Sequence, residues 1–333
     1  MLHILEITFP FFALVLCGYA VARCSWLPLD AIPGLNLFVL YFALPCMLFR
    51  FGAATPIGRM LDPSIFGTYL LCALVMVGLS VATTRRRAIG WNDASFGALV
   101  AAFPNSGFMG VPLLVGLLGE RAAAPAIVAL AVDMVITSSL CIALSRMGTG
   151  TGTGTGTGQS QGSGRALLNA LKGMATNPLP WAIGLGCLVS AYGISVPTVL
   201  MKPVAMLADA ASPVALFTLG AVLARSRMRA AATPSVSASA DLRRSDVAQI
   251  VFYKLIVHPA LVLGTGRLAI AAGAPLDGFA ANVLVLVAAL PSASNVPMLA
   301  ERFGADAGRI ARIVLVSTAL AFLSFSAAVA LLV

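Results

Sequence analysis

Apolar residues fill this chain in long blocks separated by short polar joints. This is neither the one-sided stripe of a soluble helix nor the alternation of a half-buried strand. A helix needs about 20 apolar residues to cross a bilayer's hydrocarbon core. Ten segments suffice: 2–22, 33–54, 63–83, 94–119, 122–145, 175–195, 200–224, 247–272, 277–300 and 308–332. The pattern predicts an all-α polytopic membrane protein of ten transmembrane helices. The first segment is read as a helix and not as a signal peptide, because it lacks a basic leader and carries Glu6.

Two segments break the pattern. Leu99 to Glu120 reads LVAAFPNSGFMGVPLLVGLLGE, with Pro104, Asn105, Ser106, Gly107, Gly110 and Pro112 inside an apolar block. Proline costs a helix interior about 3 kcal/mol, because it lacks the backbone donor and clashes one turn back. Lipid cannot satisfy the carbonyl so freed, so the break must face protein or a water-filled cavity. The phrase recurs as LVAALP from Leu286 to Pro291, followed by Ser292, Ala293, Ser294, Asn295 and Pro297. Broken helices at corresponding places in two halves point to a transporter's binding site. The plainer alternative is a pair of kinks that serve packing alone.

Other matches share one frame. Pro10 and Gly18 recur as Pro178 and Gly186, and Pro45, Leu48, Phe49, Gly52 and Ala53 recur as Pro213, Leu216, Phe217, Gly220 and Ala221, all 168 residues on. The breaks at Pro104 and Pro291 lie 187 apart, and the loop 225–246 accommodates the extra 19 residues. Five helices per half is an odd number, so the second half enters from the opposite side, giving two inverted five-helix repeats. The expected organisation is a first repeat over 1–146, a flexible Gly/Thr/Ser linker over 147–170 and a second repeat over 171–333. A second disordered loop is expected over 230–240.

Composition agrees: 59% of the residues are hydrophobic and 10% charged, against about 25% charged in soluble domains. The net charge of +9 points to nucleic acid only until the charges are placed. With the N-terminus outside, one set of loops holds fifteen Lys and Arg, including Arg85–Arg87 and Arg309, against four in the other set. That asymmetry predicts a cytoplasmic face for the first set and both termini outside. Membrane lipid is then a partner and nucleic acid is not. The six cysteines form no C-x-x-C pair, so no metal site or disulfide framework is expected. No Ser-His-Asp pattern, H-E-x-x-H or Walker sequence appears, so neither an enzyme nor a cofactor is expected.

The candidate chemistry lies at the breaks and in the few intramembrane charges. A new helix N-terminus carries roughly half a positive charge, so two meeting breaks favour an anion. Asn105 and Asn295 add amides, Ser106, Ser292 and Ser294 add hydroxyls, and Gly107 allows close backbone approach. Ser106 and Ser292 have two readings, ligand contact or repair of the broken backbone. Asp133, Asp209, Lys254, His258 and Arg50 lie within spans, where a charge is costly and functional by default. Asp133 and His258 are candidates for proton coupling, with Lys254 one turn from His258. Snorkelling is the alternative for Arg50 and Lys254, and a satisfied core histidine for His258.

The phrases FALPCMLFRFGA, FPNSGFMGVPLLVGLLGE, NPLPWAIGLG, ASPVALFTLG, KLIVHP and LPSASNVPMLAERFG, in this order, resemble the auxin efflux carrier family of membrane transporters. The resemblance implies a scaffold of helices 1, 2, 6 and 7 and a transport domain of helices 3–5 and 8–10. Helices 4 and 9 would cross at Pro104 and Pro291, with the substrate carboxylate near Asn105, elevator-type movement and a homodimer. The short central linker argues against plant-type regulation and against auxin as the substrate. The expectation is a secondary transporter of a small organic anion, a mono- or dicarboxylate, in a bacterial inner membrane and coupled to protons. A sodium-coupled symporter of the bile-acid-transporter type, a non-transporting receptor and a channel are the alternatives. The sodium reading needs carboxylates at the breaks, and neither break contains Asp or Glu.

Overall fold

A computed structural model describes residues 2–54, 62–85, 89–146, 178–232 and 240–332. The expected linker over 147–170 and most of the expected loop over 230–240 lie outside the described residues. The architecture is helical, with no strand among the described residues. In chain order the helices are α1 (Leu2–Arg23), α2 (Leu29–Ala54), α3 (Pro63–Arg85), α4 (Trp91–Ala102), α5 (Ser106–Leu118) and α6 (Glu120–Arg146). Then come α7 (Pro178–Ala191), α8 (Thr198–Ala232) and α9, which runs Ala240–Phe252, Tyr253–Val257 and His258–Ala271. The last three are α10 (Gly278–Ala289), α11 (Val296–Arg302) and α12 (Ala307–Leu332). Among the described residues, six helices are long and apolar enough to cross a membrane: α2, α3, α6, α8 over Thr198–Arg225, α9 over Ser245–Ala271, and α12. The protein is therefore a multi-pass membrane protein. The fourth and ninth expected segments are each split in two, as α4/α5 and α10/α11.

Local chemistry sets the ends and irregularities. The Asp62 carboxylate accepts from the N–H groups of Ser64 and Ile65 at 2.8 and 3.3 Å, and Pro63 opens α3 where no donor is needed. Helix α7, the sixth expected segment, ends earlier than the expected 195, because Gly193 takes a left-handed φ of 59° just past it. Helices α2, α5 and α9 each contain a five-residue π turn, at Val39–Ala43, Ser106–Gly110 and Tyr253–Val257. Two residues past each turn stands a proline: Pro45, Pro112 and Pro259. A proline ring clashes with the carbonyl four residues back, and widening the preceding turn relieves that clash. The fourth π turn, Asp133–Thr137 in α6, has no such proline. There the Ser138 hydroxyl donates to the Asp133 carbonyl at 2.8 Å.

The centre of the bundle is α4 and α10. Every residue from Ala94 to Ala102 and from Val283 to Ala289 is buried. A helix apolar all round belongs inside, and these two are covered by α3, α6, α9 and α12. The outer helices instead present Leu16, Trp181, Leu268 and Leu323 to the surroundings, as lipid-facing helices do.

Helices α1, α2, α7 and α8 pack through glycines. A Cβ on Gly18 or Gly220 would run into backbone carbonyls of Phe217 and Val15, so α1 and α8 touch main chain to main chain. At the α2–α7 contact a Cβ on Gly186 would lie 2.5 Å from the Phe49 carbonyl, and one on Gly52 would lie 3.0 Å from that of Ile183. Gly18 and Gly186, and likewise Gly52 and Gly220, are 168 residues apart. The sequence offset thus exchanges one glycine crossing for the other.

Candidate functional site

The two breaks meet. Phe103 leaves the helix in an extended conformation and Leu290 does the same at the end of α10. The chain past each then pairs antiparallel with the other at Pro104 and Ser292. The Asn105 N–H donates to the Pro291 carbonyl at 2.8 Å, and the Ala293 N–H donates to the Phe103 carbonyl at 3.0 Å. Prolines 104 and 291 therefore end their helices at one shared point inside the bundle.

The carbonyls released there have specific partners. Pro104 cannot donate to the Val100 carbonyl, and the Ser292 hydroxyl does so at 2.7 Å. The Ser292 N–H, which would continue α10 by donating to Ala288, is turned away toward the Ser317 hydroxyl at 3.3 Å. The Ala288 carbonyl instead receives the Lys254 ammonium at 2.8 Å. A cation at that position also faces the negative end of α10. Ser292 and Lys254 thus repair the backbone that the two prolines open. Ser106 makes a weaker local contact to the Pro104 carbonyl at 3.4 Å.

Other candidates are not consumed in this way. Asn105 is buried, and its side-chain nitrogen has no hydrogen-bond partner among the described residues. Ser294 is buried and Asn295 half-buried at the start of α11. A Cβ on Gly107 would meet side chains of Leu130 and Leu44 at ordinary distances. At Gly110 it would lie 2.5 Å from the Leu290 side chain, so Gly110 is the glycine that seats α5 against the second break.

Behind the junction, the intramembrane charges gather. Asp133, Lys254 and His258 are all fully buried. The Asp133 carboxylate accepts from the Tyr69 hydroxyl at 2.8 Å and from the Thr137 hydroxyl at 3.1 Å. The Lys254 ammonium lies 3.3 Å from His258 Nδ1, and the His258 ring lies 6.0 Å from that of Tyr69. His258 Nε2 has no partner among the described residues. Lys254 does not snorkel; it points inward and connects this cluster to the break through Ala288. Asp133 of α6 and Lys254 and His258 of α9 thus stand together around Tyr69 of α3.

A family model described as "Membrane transport protein" matches residues 3–329. The chain belongs to that family, the auxin efflux carrier family of membrane transporters. It is 28% identical to a protein of Rhizobium meliloti (strain 1021) named "Putative malonate transporter", over 96% of this chain and 93% of that one. It is 25% identical to "Uncharacterized transporter YfdV" of Escherichia coli (strain K12), over 88% of this chain and 86% of that one.

Ion pairs also join other helices of the transporter. Arg309, expected above as a loop cation, instead lies 5% exposed in the first turn of α12, because a buried acid receives it. Its Nε donates to the Asp246 carboxylate at 2.6 Å and its Nη1 to the Asp93 carbonyl at 2.7 Å, tying α12 to α9 and α4. Arg50 of α2 donates to Asp209 of α8 at 2.6 Å, where Asp209 is 68% exposed. Tyr69, Thr137 and Asp246 carry no sequence motif and were not anticipated. A tyrosine in an apolar segment reads as core until its hydroxyl's partner is known.

Proposed function

We propose that this transporter moves a small organic anion, a mono- or dicarboxylate, across a bacterial inner membrane by elevator-type alternating access coupled to protons. The observation that carries the reading is the junction of two broken helices with a buried Asn105 side-chain nitrogen that has no partner among the described residues. A buried amide donor without an acceptor loses its hydration for nothing, and a carboxylate supplies the missing acceptor. The name of the Rhizobium meliloti relative supports malonate as a first substrate to try.

The division of labour among helices supports the elevator. The polar bonds named above join α3–α6 and α9–α12 into one unit through Tyr69–Asp133, Lys254–Ala288, Ser292–Val100 and Arg309–Asp246. The glycine crossings hold α1, α2, α7 and α8 as a second unit. Their exchange under the offset of 168 supports ten helices in two inverted repeats, and the Lys/Arg asymmetry of the loops supports both termini outside. In this reading the first unit slides as a transport domain along the second. Asp133, His258 and Lys254 sit in the moving unit, where protonation and substrate loading are sensed together.

The test is uptake of radiolabelled malonate into proteoliposomes with an imposed pH gradient, with and without sodium. Wild type accumulates label without sodium, and internal unlabelled malonate drives label inward. Asn105→Ala abolishes uptake while leaving the unfolding temperature unchanged, since its side-chain nitrogen holds no protein partner. Uptake by Asn105→Ala at the wild-type rate refutes the junction as the site. Uptake that needs sodium at a fixed pH gradient refutes proton coupling.

A further inference from the structure

A second place on the molecule is built for a carboxylate. A cavity of about 710 Å³ opens between α2 and α8 on one side and α5 and α6 on the other. Small-molecule sites typically span about 300–1,000 Å³. Pro112 and Val115 form part of its α5 wall; Pro112 is seven residues from Asn105, about 10 Å along a helix. Its charged residues are Arg50, Asp209, Glu120 and Arg121.

Arg50 and Asp209 are the informative pair. A guanidinium carries five N–H donors in a planar fork that fits a carboxylate in two-point fashion. Arg50 spends Nη1 on Asp209. Its other guanidinium nitrogens make no hydrogen bond among the described residues, and the residue is half-buried in the cavity wall. Asp209 is a carboxylate held where a guest carboxylate would sit. An ion pair this exposed contributes little, so exchanging Asp209 for an incoming anion costs little. Arg121 lines the same cavity from α6; its own partner, the Asp277 carboxylate, is distant at 4.0 Å. Two guanidiniums thus line the cavity, one from each unit of the bundle, Arg121 beside Glu120 and over the Phe279 ring at 5.2 Å.

We propose that this cavity is a loading site for a small dicarboxylate, gripped at one end by Arg50, with Asp209 as the internal carboxylate that the guest displaces and Arg121 facing its other end. The inference rests on the organic-anion reading above and adds a recognition residue outside the junction. The guest binds here first and then passes along α5 toward Asn105.

The experiment is equilibrium binding of radiolabelled malonate, with acetate as the one-carboxylate probe, to purified full-length wild type, Arg50→Gln, Asp209→Asn, Arg121→Gln and Asn105→Ala. Losing charge-assisted bonds at Arg50 weakens malonate binding by at least about tenfold. Asp209→Asn removes the internal competitor and tightens malonate binding several-fold, a gain that misfolding cannot produce and that decides the matter if Arg50→Gln does not fold. Arg121→Gln erases the preference for malonate over acetate. Unchanged malonate affinity in both Arg50→Gln and Asp209→Asn overturns the loading site, and if Asn105→Ala alone abolishes binding the junction reading survives it. If instead the Arg50 and Asp209 variants behave as expected while Asn105→Ala transports like wild type, the loading site stands and the junction falls. Failure of wild type to bind malonate or acetate overturns both.

Discussion

Replacing Ser292 with alanine isolates what it costs to break a helix inside a membrane. The hydroxyl of Ser292 donates to the Val100 carbonyl at 2.7 Å, and the ordinary donor to that carbonyl is missing because residue 104 is proline. Ser292 and Val100 are fully buried, so water cannot replace the lost bond. Interhelical side-chain bonds in membrane proteins average about 0.6 kcal/mol, because the unfolded state in the membrane also finds partners. A buried acceptor stripped of its only donor costs about 1–3 kcal/mol. The absence of a regular donor places Ser292→Ala in the upper regime, at about 1–2 kcal/mol. Ser80 provides the matched control: it is fully buried on α3 and its hydroxyl has no partner among the described residues. Ser80→Ala removes a polar atom that gains nothing from burial, so it is neutral or stabilising. Reversible unfolding of both variants in mixed micelles measures the difference. Equal destabilisation by Ser80→Ala and Ser292→Ala refutes the argument that Ser292 serves the backbone of the other break.

Three further outcomes follow from the packing and the buried charges. Lys254→Met strips the Ala288 carbonyl of its donor and takes the buried cation away from the Asp133 side of the cluster, a loss of about 1–3 kcal/mol by the same unfolding assay. Adding Asp133→Asn to Lys254→Met recovers part of that loss, whereas additive losses refute the electrostatic link between the two residues. Gly186→Ala places a methyl 2.5 Å from the Phe49 carbonyl and costs about 1–3 kcal/mol, while Gly184→Ala, whose Cβ would meet nothing within 4 Å, is tolerated.

Helix placement was legible in the sequence because bilayer thickness imposes a length that apolar blocks display directly. The breaks were legible for the same reason: Pro104 and Pro291 stand out where lipid forbids an open backbone. Their pairing was only implied. No local rule states that the Asn105 N–H reaches the Pro291 carbonyl, since the two lie 186 residues apart and only the fold brings them together. The partners of the buried charges were hidden for a similar reason. Arg309 reads as an orientation charge near a segment end, and only Asp246, 63 residues earlier, converts it into a buried ion pair. Asp209 reads as an intramembrane acid, yet the cavity leaves it exposed beside Arg50.

The breaks divide the polar residues into two kinds, and the division decides which can hold a ligand. Opening two helices at prolines leaves carbonyls with no regular donor, and side chains from elsewhere in the fold take that place: Ser292, in the opposite break, for Val100, and Lys254 of α9 for Ala288. A hydroxyl or ammonium so employed cannot be released to a substrate without exposing the carbonyl again. That argues against Ser292 as a primary ligand, although its residue type and position suggested it. The same reasoning selects Asn105, whose side-chain nitrogen is buried without a partner, and His258, whose Nε2 is buried likewise. Under the proposed function a carboxylate would supply the acceptor that the Asn105 amide lacks, and His258 would be the titratable member of the cluster. Because Lys254 touches both His258 and the carbonyl at the end of α10, a change of charge at the cluster acts on the junction through one side chain. The proposed coupling of proton to substrate would therefore need no long path, only the distance from His258 to Ala288 that Lys254 already spans.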